Sequence, residues 1–193
     1  MLTLVRKAVS FELGMWRSLY RWILRRPPAT GTVFGYAGAV TPIFGVFIGM
    51  SIVEVPILHL ILPWPTVRFI SLMLGAYGVF WMVGLLASMR VNPHLVDDSG
   101  LRIRYGLSVD LTVPWDHIAA IRKRYNTLPM GRTVRVEDGA LHVAVSNQTS
   151  VDVVLREPTV FAPSKGEHVR EVRIHADDPD ALVRRVRQMV ILP

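Results

Sequence analysis

The chain has 193 residues, of which 51% are hydrophobic and none is cysteine, so disulfides, thiolate metal sites and cysteine nucleophiles are excluded. Its formal net charge is +7, but residues 1–30 alone hold six basic side chains and only one acidic side chain. A nucleic-acid-binding protein needs its basic excess on the folded domain, so we expect no nucleic-acid partner.

Residues 1–30 predict a basic amphipathic helix that lies in the membrane interface. Apolar side chains recur at helical spacing from Leu2 to Ile23, while Arg17, Arg21 and Arg25 fall on another stripe. We expect these three arginines to contact anionic lipid. The alternative is a helix that docks on a partner protein with its basic face in water.

Two long apolar stretches follow, from Val33 to Leu62 and from Phe69 to Met89, and a Pro-Trp-Pro turn separates them. Each stretch contains 21 consecutive residues without a charged side chain. About 20 apolar residues in a helix cross a hydrocarbon core of roughly 30 Å. Residues 31–90 therefore predict a transmembrane helical hairpin.

The first stretch is longer than one straight crossing needs. It also contains Pro42, Glu54 and Pro56. Either the helix kinks and tilts, or it ends near Val53 and a second short segment begins at Glu54.

Small residues in the two stretches predict close packing between membrane helices. The glycines expected to pack against a helix of another chain are Gly45, Gly49, Gly75, Gly78 and Gly84. The alternative is that the two spans pack only on each other.

Glu54 is the one acidic residue near a span. A carboxylate in hydrocarbon is costly, so Glu54 would pair with a cation on a partner helix or lie in a transport path. The alternative places it in water at the outer interface, near Arg68 or His59.

Charge also predicts the topology of the hairpin. Basic side chains precede the first span and follow the second, beginning with Arg90, whereas the turn between the spans is uncharged. The positive-inside rule then places both termini in the cytoplasm. We expect a multi-pass protein of the cytoplasmic (inner) membrane.

Residues 91–193 change from helical to alternating periodicity and predict a separate cytoplasmic domain. An Asp138-Gly139 turn joins two strands in a hairpin. Five to seven short antiparallel strands are expected, and a final helix runs from Asp180 to about Ile191.

Three motifs in this region resemble those of a known family. They are Asp98-Ser99-Gly100-Leu101-Arg102, Val113-Pro114-Trp115-Asp116-His117-Ile118 and Asp177-Asp178-Pro179-Asp180-Ala181-Leu182. On these residues the region resembles the bacterial PH-like domains found next to transmembrane hairpins. The resemblance implies an antiparallel β sandwich or barrel with a C-terminal helix. On physical grounds we expect Trp115 and Ile118 to plug one end of it and the last helix to cover the other opening.

The resemblance does not bring a lipid-headgroup site. Phosphoinositide-binding PH domains use basic residues on a loop that corresponds here to residues 106–108, which are uncharged. A better candidate for contact with anionic lipid is the run Arg122, Lys123 and Arg124, because the domain would hang close to the membrane. The alternative is a solvated charged face.

The sequence offers little chemistry. Its six histidines lack ligand-like spacing, and the motifs of serine hydrolases, P-loops and dinucleotide sites are absent. The pairs Asp97-Asp98 and Asp177-Asp178 are expected to cap turns and helices. We therefore predict no catalytic residue, no cofactor and no metal. A third alternative, a membrane-bound enzyme, would need a conserved polar cluster.

These features favour a non-enzymatic accessory or scaffold subunit of a larger membrane complex, such as a transporter, for example of lipids, or an envelope-assembly machine. The hairpin would dock on integral membrane protein partners, and the PH-like domain would brace the cytoplasmic side. The alternative is a freestanding membrane adaptor or sensor of anionic lipids.

Overall fold

The computed structural model describes residues 2–24 and 31–191, which form four α-helices and nine β-strands in two sheets. The helices are α1 (Leu2–Ile23), α2 (Thr41–Ile61), α3 (Pro65–Val91) and α4 (Pro179–Ile191). The strands are β1 (Thr32–Phe34), β2 (His94–Asp97), β3 (Gly100–Tyr105), β4 (Val109–Val113), β5 (Ile118–Thr127), β6 (Val134–Glu137), β7 (Ala140–Val143), β8 (Gln148–Val160) and β9 (His168–Ile174).

Helices α2 and α3 form the predicted hairpin, and both are long and apolar enough to cross a membrane. A proline stands in the first turn of each helix, where a missing N–H costs nothing. Helix α2 continues through Pro56, so the alternative in which it ends near Val53 is wrong. At the other end of the pair, Arg90 donates a hydrogen bond to the Thr41 hydroxyl at 3.3 Å.

The first apolar stretch does not all belong to the hairpin. Its start, at Val33, lies in β1, which pairs with β2, and Tyr36, Ala37 and Val40 are buried against Met89. The helix therefore begins eight residues later than the apolar stretch, at Thr41. Apolar composition alone cannot distinguish side chains that face lipid from side chains that face protein.

The link between β1 and α2 is held by a carboxylate. The backbone N–H of Gly38 donates to both oxygens of Asp177, at 2.9 and 3.1 Å. A β-carbon on Gly35 or Gly38 would stand 2.8 or 2.7 Å from an oxygen of Asp177, so this close approach requires glycine. The predicted capping role is wrong for Asp177, since of this pair only Asp178 caps α4, accepting from the Ala181 N–H at 2.9 Å.

The strands form two open sheets that share one core. One sheet is antiparallel with the order β1-β2-β3-β4, and the other has the order β5-β8-β9-β7-β6. The prediction of a purely antiparallel domain is wrong, because β7 and β9 pair in parallel. The barrel alternative is also wrong. A period of two reveals a strand but neither its partner nor their relative direction.

The shared core explains why these segments become strands and why α4 lies where it does. Alternate residues of β4, namely Val109, Leu111 and Val113, are buried, and Asp110 and Thr112 between them face out. Helix α4 contributes apolar side chains to the same core, including the buried Leu182, Val183 and Val186. Ile118 is fully buried there with Trp115 packed against the cluster.

Helix α1 packs on its own chain. Met15 is fully buried and lies where a β-carbon on Gly84 of α3 would meet it at 2.9 Å. The preceding residue, Gly14, is close to Leu107 in the turn after β3. Helix α1 therefore joins α3 to the sheets rather than lying apart from both.

Candidate interaction surfaces

The predicted packing glycines divide into two groups. Gly75 and Gly84 are occupied within the chain, since a β-carbon on Gly75 would overlap Val55 of α2 and one on Gly84 would meet Met15. Gly45, Gly49 and Gly78 have no atom within 4 Å of a β-carbon position. Only the second group remains open to another helix.

Glu54 opens onto a shallow groove between α2 and α3. The groove has a volume of about 390 Å³ and is lined mostly by small and apolar side chains. Its lining comprises Ser51, Glu54, Val55, Leu58, Ser71, Leu74, Gly75, Gly78, Val79 and Met82. We call this the Glu54 groove.

The Glu54 carboxylate has no hydrogen-bond or ion-pair partner among residues 2–24 and 31–191. Glu54 precedes Ile61, the last residue of α2, by seven positions, or about 10 Å along the helix axis. Neither Arg68 nor His59 bonds it; the Arg68 guanidinium instead donates to the Leu62 carbonyl, at 2.8 and 3.1 Å. The predicted neighbours therefore leave this carboxylate uncompensated.

Helix α1 exposes side chains of both predicted stripes, the apolar one and the basic one. Val9, Leu13 and Tyr20 are exposed, as is Arg17, whereas Arg21 is half-buried. Arg25 lies outside the described residues. The exposed apolar stripe is compatible with a helix that contacts lipid while its opposite face packs on α3.

The basic run on β5 is partly exposed and pairs with carboxylates of the same domain. Arg122 contacts Glu171 at 2.8 Å, and Lys123 contacts Asp180 at 2.6 Å. Arg122 and Arg124 also lie 3.7 and 3.8 Å from the fully buried Asp152. These ion pairs within the domain weaken the electrostatic attraction of the three basic side chains to an anionic membrane.

Two charged or titratable groups at the end of the domain next to α3 were not predicted from the sequence. Burial lowers the pKa of His94 to about 4, and its Nε2 atom lies 2.9 Å from the His175 carbonyl oxygen. The Tyr36 ring lies tilted beside it, with ring centroids 4.9 Å apart, and the Tyr36 hydroxyl accepts the Gly106 N–H at 2.6 Å. Nothing in the sequence around His94 signals this burial.

Arg104 is the second such group. It is only 8% exposed, and its Nε and Nη2 atoms are buried without a hydrogen-bond partner among the described residues. The carboxylate of Asp110, opposite it in the sheet, instead binds Arg102 at 2.6 and 2.7 Å. Burial, and then the charge of Arg102, lower the pKa of Arg104.

Neither the arrangement of acidic and histidine side chains nor the comparisons with known proteins assigns a chemistry to the chain. The described residues contain no group of three or more histidine, aspartate or glutamate side chains that could hold a metal ion. No protein-family model, curated protein or solved structure matches the chain. Two long apolar helices followed by a β-rich domain are shown, and membership of the PH-like family stays a prediction.

Proposed function

We propose that the chain is a non-enzymatic accessory or scaffold subunit of a larger complex in the cytoplasmic membrane. Helices α2 and α3 cross the bilayer, both termini are cytoplasmic, and the β-rich domain, of PH-like type, braces the cytoplasmic face. The complex is a transporter, for example of lipids, or an envelope-assembly machine. The basic flanks of the hairpin support this orientation.

The single observation that carries the proposal is the Glu54 groove. An unpaired carboxylate within an apolar helix is costly in a bilayer, so such residues usually face a partner or a water-filled cavity. No atom lies within 4 Å of a β-carbon position on Gly78, which lines the groove. Small residues at such a position allow a further helix to approach closely.

The occupant that fits the groove is a transmembrane helix of an integral partner protein with a cationic or hydrogen-bond-donating side chain at the depth of Glu54. Such a side chain would compensate the charge that Arg68 and His59 leave unpaired. The open Gly45 and Gly49 provide a second face for the same or another helix.

The proposal is tested by cross-linking in native membranes. A photo-reactive side chain at Met82, in the groove, is expected to capture one integral membrane protein, whereas the same group at Phe80, exposed elsewhere on α3, is not. Gly78→Leu should fill the groove and reduce that cross-link at least tenfold. Equal capture from both positions, or none from Met82, would contradict the proposal.

A matched variant separates blocking from misfolding. Val46→Phe adds bulk on α2 at a side chain that is already exposed, and it should leave the Met82 cross-link unchanged. Glu54→Gln keeps the shape but removes the charge, and it should weaken the cross-link if the partner carries a cation. Membrane insertion is measured for every variant, so that a loss of the cross-link is not confused with a failure to insert.

A further inference from the structure

The loop 128–133, which connects β5 to β6, carries an apolar side chain that is not buried in the fold. Met130 at its tip is 93% exposed, more than any other large apolar side chain that the structure describes. Pro129 and Gly131 on either side are also exposed. A single exposed apolar side chain needs no explanation by itself, so the position of the loop in the fold decides its meaning.

The topology places this loop at the end of the sheets from which the hairpin emerges. The turn after β3 lies on α3 there, with a β-carbon on Gly106 only 3.3 Å from the Ser88 hydroxyl. The turn between β7 and β8 is at the same end, because Val145 packs in the cluster of Tyr36 and Met89. The Leu128 N–H donates to the Asn147 carbonyl of that turn at 2.8 Å, which fixes the start of the loop beside it.

The loop is held in shape by a side chain from β6. The Arg135 guanidinium donates to the Pro129 carbonyl at 3.2 Å and lies 2.9 Å from a β-carbon position on Gly131. The end of the loop is fixed as well, since the Ala144 N–H donates to the Thr133 carbonyl at 2.9 Å. Met130 is therefore presented on a braced turn rather than on a loose segment.

Two exposed residues close to Met130 in the chain are of types that are common at a membrane interface. Tyr125, near the end of β5, is 66% exposed, and Arg132 is exposed in the loop itself. Tyrosine and arginine are favoured at the headgroup level, where an aromatic ring or a long stem is partly buried and the polar end stays in water. Methionine adapts to an irregular apolar environment because its side chain is unbranched.

We propose that the loop 128–133 dips into the bilayer surface beside the hairpin, with Met130 at the boundary between headgroups and acyl chains and with Tyr125 and Arg132 among the headgroups. The partner of this surface is a lipid bilayer that contains anionic lipid. This inference rests on the proposed membrane attachment of α2 and α3. It gives the domain a second contact that fixes its orientation against the membrane.

The absence of cysteine allows a direct test on the full chain. Single variants Phe47→Cys, Met130→Cys and Glu167→Cys are labelled with a polarity-sensitive fluorophore and reconstituted in phosphatidylcholine vesicles containing phosphatidylglycerol. Phe47 reports on the hairpin. Glu167 is exposed just before β9, at the opposite end of the sheets, because β9 runs parallel to β7.

Spin labels on the lipid acyl chains should quench the labels at Phe47 and Met130, the latter at least threefold more than the label at Glu167. Quenching at Phe47 with equal quenching at Met130 and Glu167 would overturn this inference and leave the membrane attachment intact. A label at Phe47 that stays unquenched would overturn the attachment as well.

The role of charge is tested in the same assay. Arg132→Glu in the Met130→Cys chain should reduce quenching of the Met130 label by about half in vesicles with phosphatidylglycerol, because an arginine near the surface is attracted to anionic lipid. In pure phosphatidylcholine the change should be smaller. Unchanged quenching in both vesicles would overturn the placement of Arg132 among the headgroups.

Discussion

The hairpin and the β-rich domain use apolar residues in opposite ways. Leu101 in β3 is fully buried, whereas Leu60 in α2 is 80% exposed, and no residue of α2 is buried at all. In the domain, apolar side chains stabilise the fold by leaving water. In the hairpin they face outward, which is stable only where the solvent is itself apolar. Apolar content therefore locates a hydrophobic segment, and the surrounding structure decides whether its side chains form a protein core or face lipid.

The largest effect expected from this comparison comes from one substitution made in each region. Leu101→Ala should reduce the free energy of unfolding of the domain by about 2–5 kcal/mol, because it leaves a cavity in a closed core. Leu60→Ala should change it by less than about 0.5 kcal/mol. Denaturant unfolding of the full chain in detergent, followed by tryptophan fluorescence, measures both. Similar losses for the two variants would contradict the contrast between the regions.

A charge on the hairpin should affect insertion rather than folding of the domain. Phe47 in α2 is 58% exposed. Phe47→Arg should cost about 3 kcal/mol of membrane insertion, as expected for arginine near the centre of a span. Carbonate extraction of membranes measures the fraction retained. Phe47→Leu is the control, and retention of the arginine variant at the level of this control would argue against a lipid-facing α2.

Within the hairpin, substitutions at two glycines distinguish the contact between α2 and α3 from the exposed surface. Gly75→Val should destabilise the contact of α2 with α3 by about 1–3 kcal/mol, because its new side chain would overlap Val55. Gly78→Val should leave the isolated chain unaffected, since it meets no atom. The thermal stability of each variant in detergent is the measurement. Equal stability of the two would show that α2 and α3 do not pack as described.

A further effect depends on pH and is confined to the domain, and at neutral pH it leaves stability unchanged. Because burial lowers the pKa of His94 from about 6.5 to about 4, the unfolded state binds the proton more readily than the folded state. The contribution of neutral His94 is full above about pH 6.5 and is lost as the pH falls towards 4, by at most about 1.4 kcal/mol per pH unit.

His94→Gln isolates this contribution, since glutamine can retain a hydrogen bond to the His175 carbonyl without titrating. Denaturant unfolding of both proteins between pH 4 and 8 should show a difference in stability that narrows as the pH falls. A difference that is independent of pH would show that His94 does not control the acid sensitivity of the domain.

The order of elements was available from the sequence. The long uncharged stretches and the proline turn predicted the hairpin, and the change of periodicity after residue 91 predicted the strands that follow. The Asp138-Gly139 turn between β6 and β7 and the helix α4 were also located correctly. These signals are local, since each depends on spacing within a few residues.

The sites were less accessible to sequence reasoning. Arg122, Lys123 and Arg124 read as a basic run, but their carboxylate partners come from Asp152, Glu171 and Asp180, which are distant in the chain. Among the glycines, nothing in the sequence separates Gly75, which is in contact with Val55, from Gly78, which is open.

The sequence by itself determined which segments are apolar over a membrane-spanning length and which alternate, because hydrophobic periodicity is written in neighbouring residues. Only the tertiary structure decided that β1 belongs to a sheet, that β9 lies parallel to β7, that α1 packs on α3 and that Glu54 has no partner among the described residues. Each of these depends on contacts between residues far apart in the chain, and such contacts are selected by the packing of the whole fold.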